Sequence, residues 1–106
     1  MSQIDYSKAS DGWDGRSFKV GDILVTGFSH PAFFIVCRRT ASSVWAMKLG
    51  KVAVSDVGYG QSGRIMPNLA ARGKEVMGRI GKSGYVKLNG DTAHVWSGRP
   101  VEFWTD

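Results

Sequence analysis

The 106-residue sequence has one cysteine, Cys37, three prolines and no long apolar run. A single cysteine excludes a disulfide within the chain, and its place in an apolar segment favours a buried, reduced thiol. A membrane-spanning helix needs about 18 or more consecutive apolar residues, and no such run occurs. The polar first residues also do not have the basic and apolar regions of a secretory signal. The sequence therefore predicts a cytoplasmic protein.

Acidic residues are scarce in the middle of the chain. Residues 23–99 contain eleven lysines and arginines but three acids, Asp56, Glu75 and Asp91, which is a net charge of +8. The whole chain carries +5, because the residues before 23 and after 99 contain six of the nine acids and only three of the fourteen basic residues. A basic body favours a polyanion or an acidic protein surface as the partner. The alternative is a solvated surface whose charge maintains solubility.

Helical periodicity is also missing, since in no stretch of ten residues do the apolar residues recur at a period of 3.6 residues. Short segments rich in β-branched and aromatic residues recur instead, at about 8–12-residue spacing and with glycine turns between them. Asn89-Gly90 is a strong hairpin signal because both residues tolerate a positive φ. The predicted strands are residues 18–26, 32–40, 43–54, 74–81, 84–89, 92–96 and 101–105.

These patterns predict an all-β fold, a small SH3-like barrel of five or six strands. Residues 1–17 are predicted to form a flexible N-terminal arm, and residues 18–106 a single barrel domain. Residues 55–73, with four glycines and one proline, form a predicted long loop. This loop has room for at most one helical turn, at residues 67–72. An OB-fold, the nearest alternative, would require a longer helix there.

Several short motifs resemble those of a known group of proteins. VGDILV, AFFIV with a basic tail, SVWAMKLGK and VWSGRPVEF follow one another over residues 20–103. In this order they resemble small uncharacterised SH3-like β-barrel proteins of phages, plasmids and their bacterial hosts, which open with G-D-I and close with W-x-G-x-P. The resemblance implies an SH3-like barrel and a mobile-element origin, and it brings no catalytic residues. Residues 27–32 depart from the more polar, aromatic stretch expected in that group.

The segment TASSVWAMKLGK, residues 40–51, raises the question of which way Trp45 points. In a strand, Val44 and Ala46 share one face, while Trp45 and Met47 share the other. Either the larger pair fills the core, or the smaller pair faces a tight core and Trp45 is exposed beside an arginine. The outward orientation is typical of sheets that bind single-stranded nucleic acid, because every base has a face that stacks on an aromatic ring.

Basic residues and the aromatic residues among them form the candidate contact surface. No recognition helix is predicted, so we expect binding to single strands or to the nucleic-acid backbone. If about half of the basic residues share one face, the affinity falls steeply with salt. The predicted contact residues are Arg38, Arg39, Trp45, Lys48, Lys51, Tyr59, Arg64, Arg72, Lys74, Arg79, Lys82 and Lys87.

Catalytic and ligand-binding groups are few. GYGQSG, residues 58–63, matches G-x-G-x-x-G, but no long helix follows it, so a dinucleotide site is not indicated. His30, His94 and Cys37 are too few and too separated for a metal site. Nothing in the sequence orients a Cys–His pair for nucleophilic catalysis. The sequence therefore predicts no cofactor, no metal and no enzymatic activity.

Together these features predict a non-enzymatic binding protein, encoded by a mobile element and located in the bacterial cytoplasm. It would contact nucleic acid or a nucleoprotein through a basic, aromatic-bearing sheet face, and no membrane partner is expected. The alternative is a phage inhibitor of a bacterial defence system, of the anti-CRISPR type, that binds a nucleic-acid-handling protein. A virion component or a toxin-neutralising module is a third hypothesis.

Overall fold

The computed structural model describes residues 12–27, 30–54 and 62–104. In these ranges the protein is all-β, as predicted, with one short 3-10 turn at Gly15–Ser17 and no α-helix. The strands are β1 (Ile23–Thr26), β2 (Ala32–Arg39), β3 (Ser43–Ala53), β4 (Ser62–Arg79), β5 (Lys87–Leu88), β6 (Asp91–Val95) and β7 (Val101–Trp104).

The seven strands form one antiparallel sheet in the order β5-β6-β1-β2-β3-β4-β7. It differs from the predicted barrel of five or six strands because it remains open. Ile80, directly after β4, pairs with Val86, directly before β5, through an isolated bridge. The other end of β4 pairs with β7 at Ile65 and Val101. One long strand thus approaches β5 at its C-terminal end and holds β7 at its N-terminal end.

A large bulge bends the β3–β4 pair. Leu49 pairs with Arg72, whereas the next residue, Gly50, pairs with Asn68, so residues 69–71 have no partner in β3. The helical turn for which residues 67–72 had room is not formed, because tertiary pairing holds this segment in β4.

The predicted loop at residues 55–73 is also too long. β4 already begins at Ser62, so the break between β3 and β4 is confined to residues 54–61. Of these, residues 55–61 lie outside the described residues. Glycine and proline weaken a strand prediction made from sequence, but Gly63, Pro67 and Gly73 all lie within β4 here.

The sheet buries apolar side chains on both faces. Neighbouring residues such as Leu24 and Val25, or Phe34 and Phe33, belong to different clusters. This explains the continuous apolar runs of β1 and β2, because a strand covered on both faces does not alternate with polar residues. The larger cluster contains Phe18, Leu24, Phe34, Val36, Val44, Ala46, Val86, Leu88 and Ala93. The smaller contains Val25, Phe33, Leu49 and Ile65.

Residues 12–17 are packed against the sheet, in contrast to the flexible arm predicted for residues 1–17. The backbone N–H of Gly15 donates to the carbonyl of Gly84, and that of Val95 donates to Gly12, both at 2.7 Å. Asp14 caps the 3-10 turn by accepting a hydrogen bond from the Arg16 N–H at 2.9 Å. The prediction for residues 1–11 lies outside the described residues.

The G-D-I and W-x-G-x-P motifs form turns in this structure. Gly21 has a φ of +96°, and the Asp22 carboxylate accepts a backbone N–H from three residues earlier at 2.8 Å. In the second motif, the Trp96 indole N–H donates to the Arg99 carbonyl at 2.7 Å, across Gly98 with a φ of +88°. Both motifs therefore have a conformational role, because a positive φ favours glycine.

Candidate functional site

The structure shows which way Trp45 points. Val44 and Ala46 are 0% exposed in the larger core cluster. Because side chains alternate along a strand, Trp45 lies on the opposite face, where it is half-buried. Of the two orientations considered from the sequence, the protein has the outward one.

Three side chains are aligned across β2, β3 and β4 on this outer face. Arg38 is paired with Trp45, and Trp45 with Met77. The Arg38 Cζ atom is 4.2 Å from the centroid of the indole ring, within the range of a cation–π interaction. Arg38 is exposed and the Met77 residue is 47% exposed. Arg79 lies two residues after Met77 in β4, is exposed and shares the same face. We call Arg38, Trp45, Met77 and Arg79 the Trp45 platform.

A β-bulge in β2 places Arg38 on the platform. Val36 pairs with Ala46 and Arg38 pairs with Trp45, so Cys37 is an extra residue in β2. Without this insertion Cys37 would pair with Trp45, and Arg38 would lie on the core face of the sheet. The bulge therefore determines that an arginine, and not a thiol, lies over the indole.

The Cys37 thiol joins the three strands beneath the platform. Its Sγ atom lies 3.0 Å from Glu75 Oε2 in β4 and 3.4 Å from the Trp45 carbonyl oxygen in β3. Burial raises the pKa of the Cys37 thiol, and the neighbouring Glu75 carboxylate raises it further. The thiol therefore stays protonated at neutral pH and donates a hydrogen bond, which makes it a poor nucleophile.

Arg39 has a structural role, although the sequence analysis placed it among the contact residues. Its Nη1 atom donates to the carbonyl oxygens of Gly15 at 3.2 Å, Arg16 at 3.0 Å and Phe18. These carbonyls belong to the 3-10 turn and the residue that follows it. Arg39 thus attaches the N-terminal segment to β2, on the face opposite the Trp45 platform.

The other predicted cations do not gather around Trp45. Arg72 is on the same side of β4 as Arg79, and its Nε donates to the Leu69 carbonyl at 3.2 Å. In the register of β4 and β7, Arg64 lies opposite Glu102, near the N-terminal end of β4. The predicted cations that are exposed are Arg38, Lys48, Lys51, Arg64, Arg72, Lys74, Arg79, Lys82 and Lys87. Tyr59 lies outside the described residues.

Met77 is a platform residue that the sequence analysis missed. A signal for it was present, because Glu75, Met77 and Arg79 alternate with Val76 and Gly78 in the predicted strand at residues 74–81. Two of the three alternating residues are charged, which indicates an outward face. The exposed methionine between them was therefore predictable.

Among the described residues, no three His, Cys, Asp or Glu side chains are close enough together to hold a metal ion. No helix in the described part of the chain is long and apolar enough to cross a membrane. Comparison with protein-family models, with curated proteins and with solved structures gave no match. The resemblance to phage and plasmid proteins therefore stays a prediction.

Proposed function

We propose that the protein binds single-stranded nucleic acid through the Trp45 platform. The observation that carries this proposal is the Arg38 guanidinium over the Trp45 ring, on the sheet face away from the larger core. An indole beside a guanidinium provides a stacking surface for a base and a cation for a phosphate. The net charge of +8 over residues 23–99 also favours a polyanion.

Arg38 occupies the position over Trp45 where a base would stack. An incoming base therefore stacks on the guanidinium plane, or displaces Arg38 toward a phosphate and stacks on the indole itself. Both modes keep the positive charge next to the strand. Arg79 and Arg72 lie on the same side of β4, one on each side of Met77, with Glu75 between Met77 and Arg72. They extend the cationic track in both directions from the platform. The strand is therefore expected to run along β4.

Stacking and phosphate contacts of this kind carry little base specificity. A π-face is common to all bases, and a phosphate is common to all nucleotides. The platform has no helix that would enter a major groove in the described residues. We therefore expect DNA and RNA single strands to bind with similar affinity and with weak preference for sequence.

The biological setting of the proposal comes from the sequence. The protein would act without enzymatic activity in the cytoplasm of a bacterium that carries the mobile element. The resemblance of residues 20–103 to phage and plasmid proteins supports this setting.

A protein partner is the second candidate, as in an anti-CRISPR inhibitor. Tryptophan and arginine are the residue types most enriched in protein hot spots. The specific observation in favour is Met77, because an exposed methionine beside Trp45 is suited to apolar contact and is not needed for base stacking. The same platform would then bind a nucleic-acid-handling protein.

Fluorescence anisotropy with labelled single-stranded DNA and RNA tests the first proposal. We expect binding at about 50 mM salt, and we expect Trp45→Ala to weaken it by about 5- to 150-fold because a stacking partner is lost. Trp45→Phe is the matched control, since it retains an aromatic face and loses less affinity. No detectable binding of either nucleic acid to the wild-type protein would contradict the proposal.

Capture of a partner from a bacterial lysate tests the second candidate. A protein that is captured after nuclease treatment by the wild type, and is not captured by Trp45→Ala, would support it.

A further inference from the structure

A groove of about 420 Å³ lies between the N-terminal segment and the β5–β6 hairpin, and none of its lining residues belongs to the Trp45 platform. Trp13 and His94 form one wall, with ring centroids 4.4 Å apart and 33° between the ring planes. Tyr85, a residue that is 38% exposed, lines the same groove. A wall of aromatic rings suits a flat ligand such as a nucleic-acid base.

The aromatic wall is held in place by the backbone on both of its sides. The Val95 N–H donates to the Gly12 carbonyl at 2.7 Å, which attaches the segment that carries Trp13 to β6. His94 Nδ1 donates to the Val95 carbonyl at 3.2 Å, which orients the imidazole ring. A ligand that stacks on this wall therefore needs to order little of the protein, so less of the binding energy is lost.

The groove opens on the same face of the sheet as the Trp45 platform. Ala93 of β6 belongs to the larger core cluster, so Thr92 and His94 lie on the outer face. Leu88 of β5 belongs to the same cluster, so Lys87, which pairs with Thr92, also lies on the outer face.

The charge that the hairpin presents on this face is positive. Lys87 is exposed and lines the groove. Asp91 pairs with Leu88 and not with Lys87, so the Asp91 carboxylate lies on the other side of the hairpin. An ammonium beside aromatic rings provides a contact for a phosphate next to a surface for its base.

The cations of the platform and of the groove are neighbours where β4 meets β5. Ile80 and Val86 form the bridge between the two strands, and both pack in the larger core cluster. The next residues along the two strands, Arg79 and Lys87, therefore lie side by side on the outer face. The strands are close here, because a Cβ atom built on Gly78 would lie 2.5 Å from the Lys87 carbonyl oxygen. The cationic track of the platform thus continues into the groove.

We propose that the groove is a second base-binding subsite for the same single strand that binds the Trp45 platform. This inference rests on the proposed function. The strand follows β4 past Arg79 and crosses to β5, where Lys87 contacts a phosphate and a base stacks on the aromatic wall or on Tyr85. By way of β4 and β5, β3 and β6 are three strand spacings apart, or about 14 Å. One strand spans this distance within the site sizes of about 4–16 nucleotides that are usual for small single-strand-binding domains.

Fluorescence anisotropy of the full chain with a labelled oligothymidine of about 12 nucleotides tests the inference. We expect Tyr85→Ala to weaken binding by about fivefold or more, because a stacking partner is lost, and Tyr85→Phe to weaken it less, because the ring face remains. Lys87→Gln should reduce the magnitude of the salt slope by about 0.7, since its phosphate contact is additional to those of the platform. Lys82→Gln removes the same charge outside the groove and should change neither the affinity nor the slope.

Failure of the groove is distinguishable from failure of the platform. If Trp45→Ala weakens binding while Tyr85→Ala and Lys87→Gln both bind as the wild type does, the inference is overturned and the platform stands. Absence of binding by the wild type would overturn both.

The number of strands bound tests whether the two subsites hold one strand. Titration at protein concentrations above the dissociation constant should give one oligothymidine per molecule, since a single strand occupies both subsites. Two strands per molecule would overturn the inference, because the groove and the platform would then bind separately.

Discussion

Arg38 and Arg39 are neighbours in the sequence, yet the bulge at Cys37 places them in different environments. Arg38 is exposed and lies over Trp45. Arg39 is half-buried and donates to three backbone carbonyls of the N-terminal segment. A charged side chain has a binding role or a structural role according to the groups that it contacts, and here adjacent residues show both.

Alanine variants of these two arginines should therefore separate binding from stability. We expect Arg38→Ala to weaken single-stranded nucleic acid binding and to change the free energy of unfolding by less than about 0.5 kcal/mol. Arg39→Ala removes the donor from the part-buried carbonyls of Gly15 and Phe18 and should lower the free energy of unfolding by about 1–3 kcal/mol. Urea denaturation and anisotropy measure the two effects. Similar effects of both variants on stability would contradict the assignment.

The Cys37 thiol makes stability depend on pH in the alkaline range. Its pKa in the folded protein is raised above the ordinary value of 9.0 by burial and by Glu75. The folded state thus holds the thiol proton more tightly than the unfolded state, so its stabilising contribution is complete below pH 9.0 and is lost as the pH rises further. We expect the melting temperature of the wild type to fall more steeply above this pH than that of Cys37→Ala.

The comparison with Cys37→Ala is needed because lysines and tyrosines titrate in the same range. Glu75→Gln provides a further control, since it removes the carboxylate that helps to raise the pKa of the thiol. Identical pH dependence in the wild type and Cys37→Ala would show that Cys37 makes no such contribution.

At the scale of elements, the long strand β4 organises the sheet. It pairs with β3 along its length, with β7 at one end, and it approaches β5 at the other. The close approach of β4 to β5 depends on Gly78. A Cβ atom there would lie 2.5 Å from the Lys87 carbonyl oxygen and 2.7 Å from Val86 Cγ1. The absence of a side chain therefore permits close contact between β4 and the β5 edge.

Gly78→Ala should consequently destabilise the protein. The added methyl forces β4 and β5 apart, for which we expect a loss of about 1–3 kcal/mol in the free energy of unfolding. Gly73→Ala, in the same strand, is the matched control, because the nearest atom to its Cβ is the Lys48 carbonyl oxygen at 3.6 Å. We expect a change within about 0.5 kcal/mol for Gly73→Ala. Equal destabilisation by both substitutions would show that strand propensity, and not the β5 contact, limits this position.

At the scale of the whole molecule, the net positive charge is distributed over several surfaces. Arg38, Arg72 and Arg79 follow one side of the β2–β4 region, whereas Arg64 and Lys87 lie on other parts of the sheet. The total charge attracts polyanions from a distance, but the number of close phosphate contacts is set by the local group.

The salt dependence of binding measures the number of close phosphate contacts. Three phosphate contacts on a single strand predict a slope of about −2 for the logarithm of affinity against the logarithm of salt concentration. Arg79→Gln should reduce the magnitude of this slope by about 0.7, because one contact is lost. Lys82→Gln removes the same charge from the turn after β4 and should leave the slope unchanged. A slope that responds equally to both substitutions would indicate a diffuse attraction instead of a defined track.

Local patterns determined much of the fold. The apolar runs of β1 and β2, the alternation in β3 and the Asn89-Gly90 turn are all recognisable in the sequence. The turn is confirmed, with φ of +52° at Asn89 and +87° at Gly90 between β5 and β6. Each of these features depends on residues within a few positions of one another, so the sequence alone was sufficient to predict it.

Tertiary pairing decided the rest. Cys37 becomes a bulge, and residues 69–71 remain in β4, because pairing with β3 sets the register of both strands. Hydrogen bonds of Gly15 with Arg39 and Gly84 hold residues 12–17 against the sheet, and these bonds join groups far apart in the chain. The sequence by itself determined an all-β, basic protein with two possible orientations for Trp45. The structure selected the outward orientation, because Val44 and Ala46 occupy fully buried positions in the larger core cluster, where an indole would overpack the core.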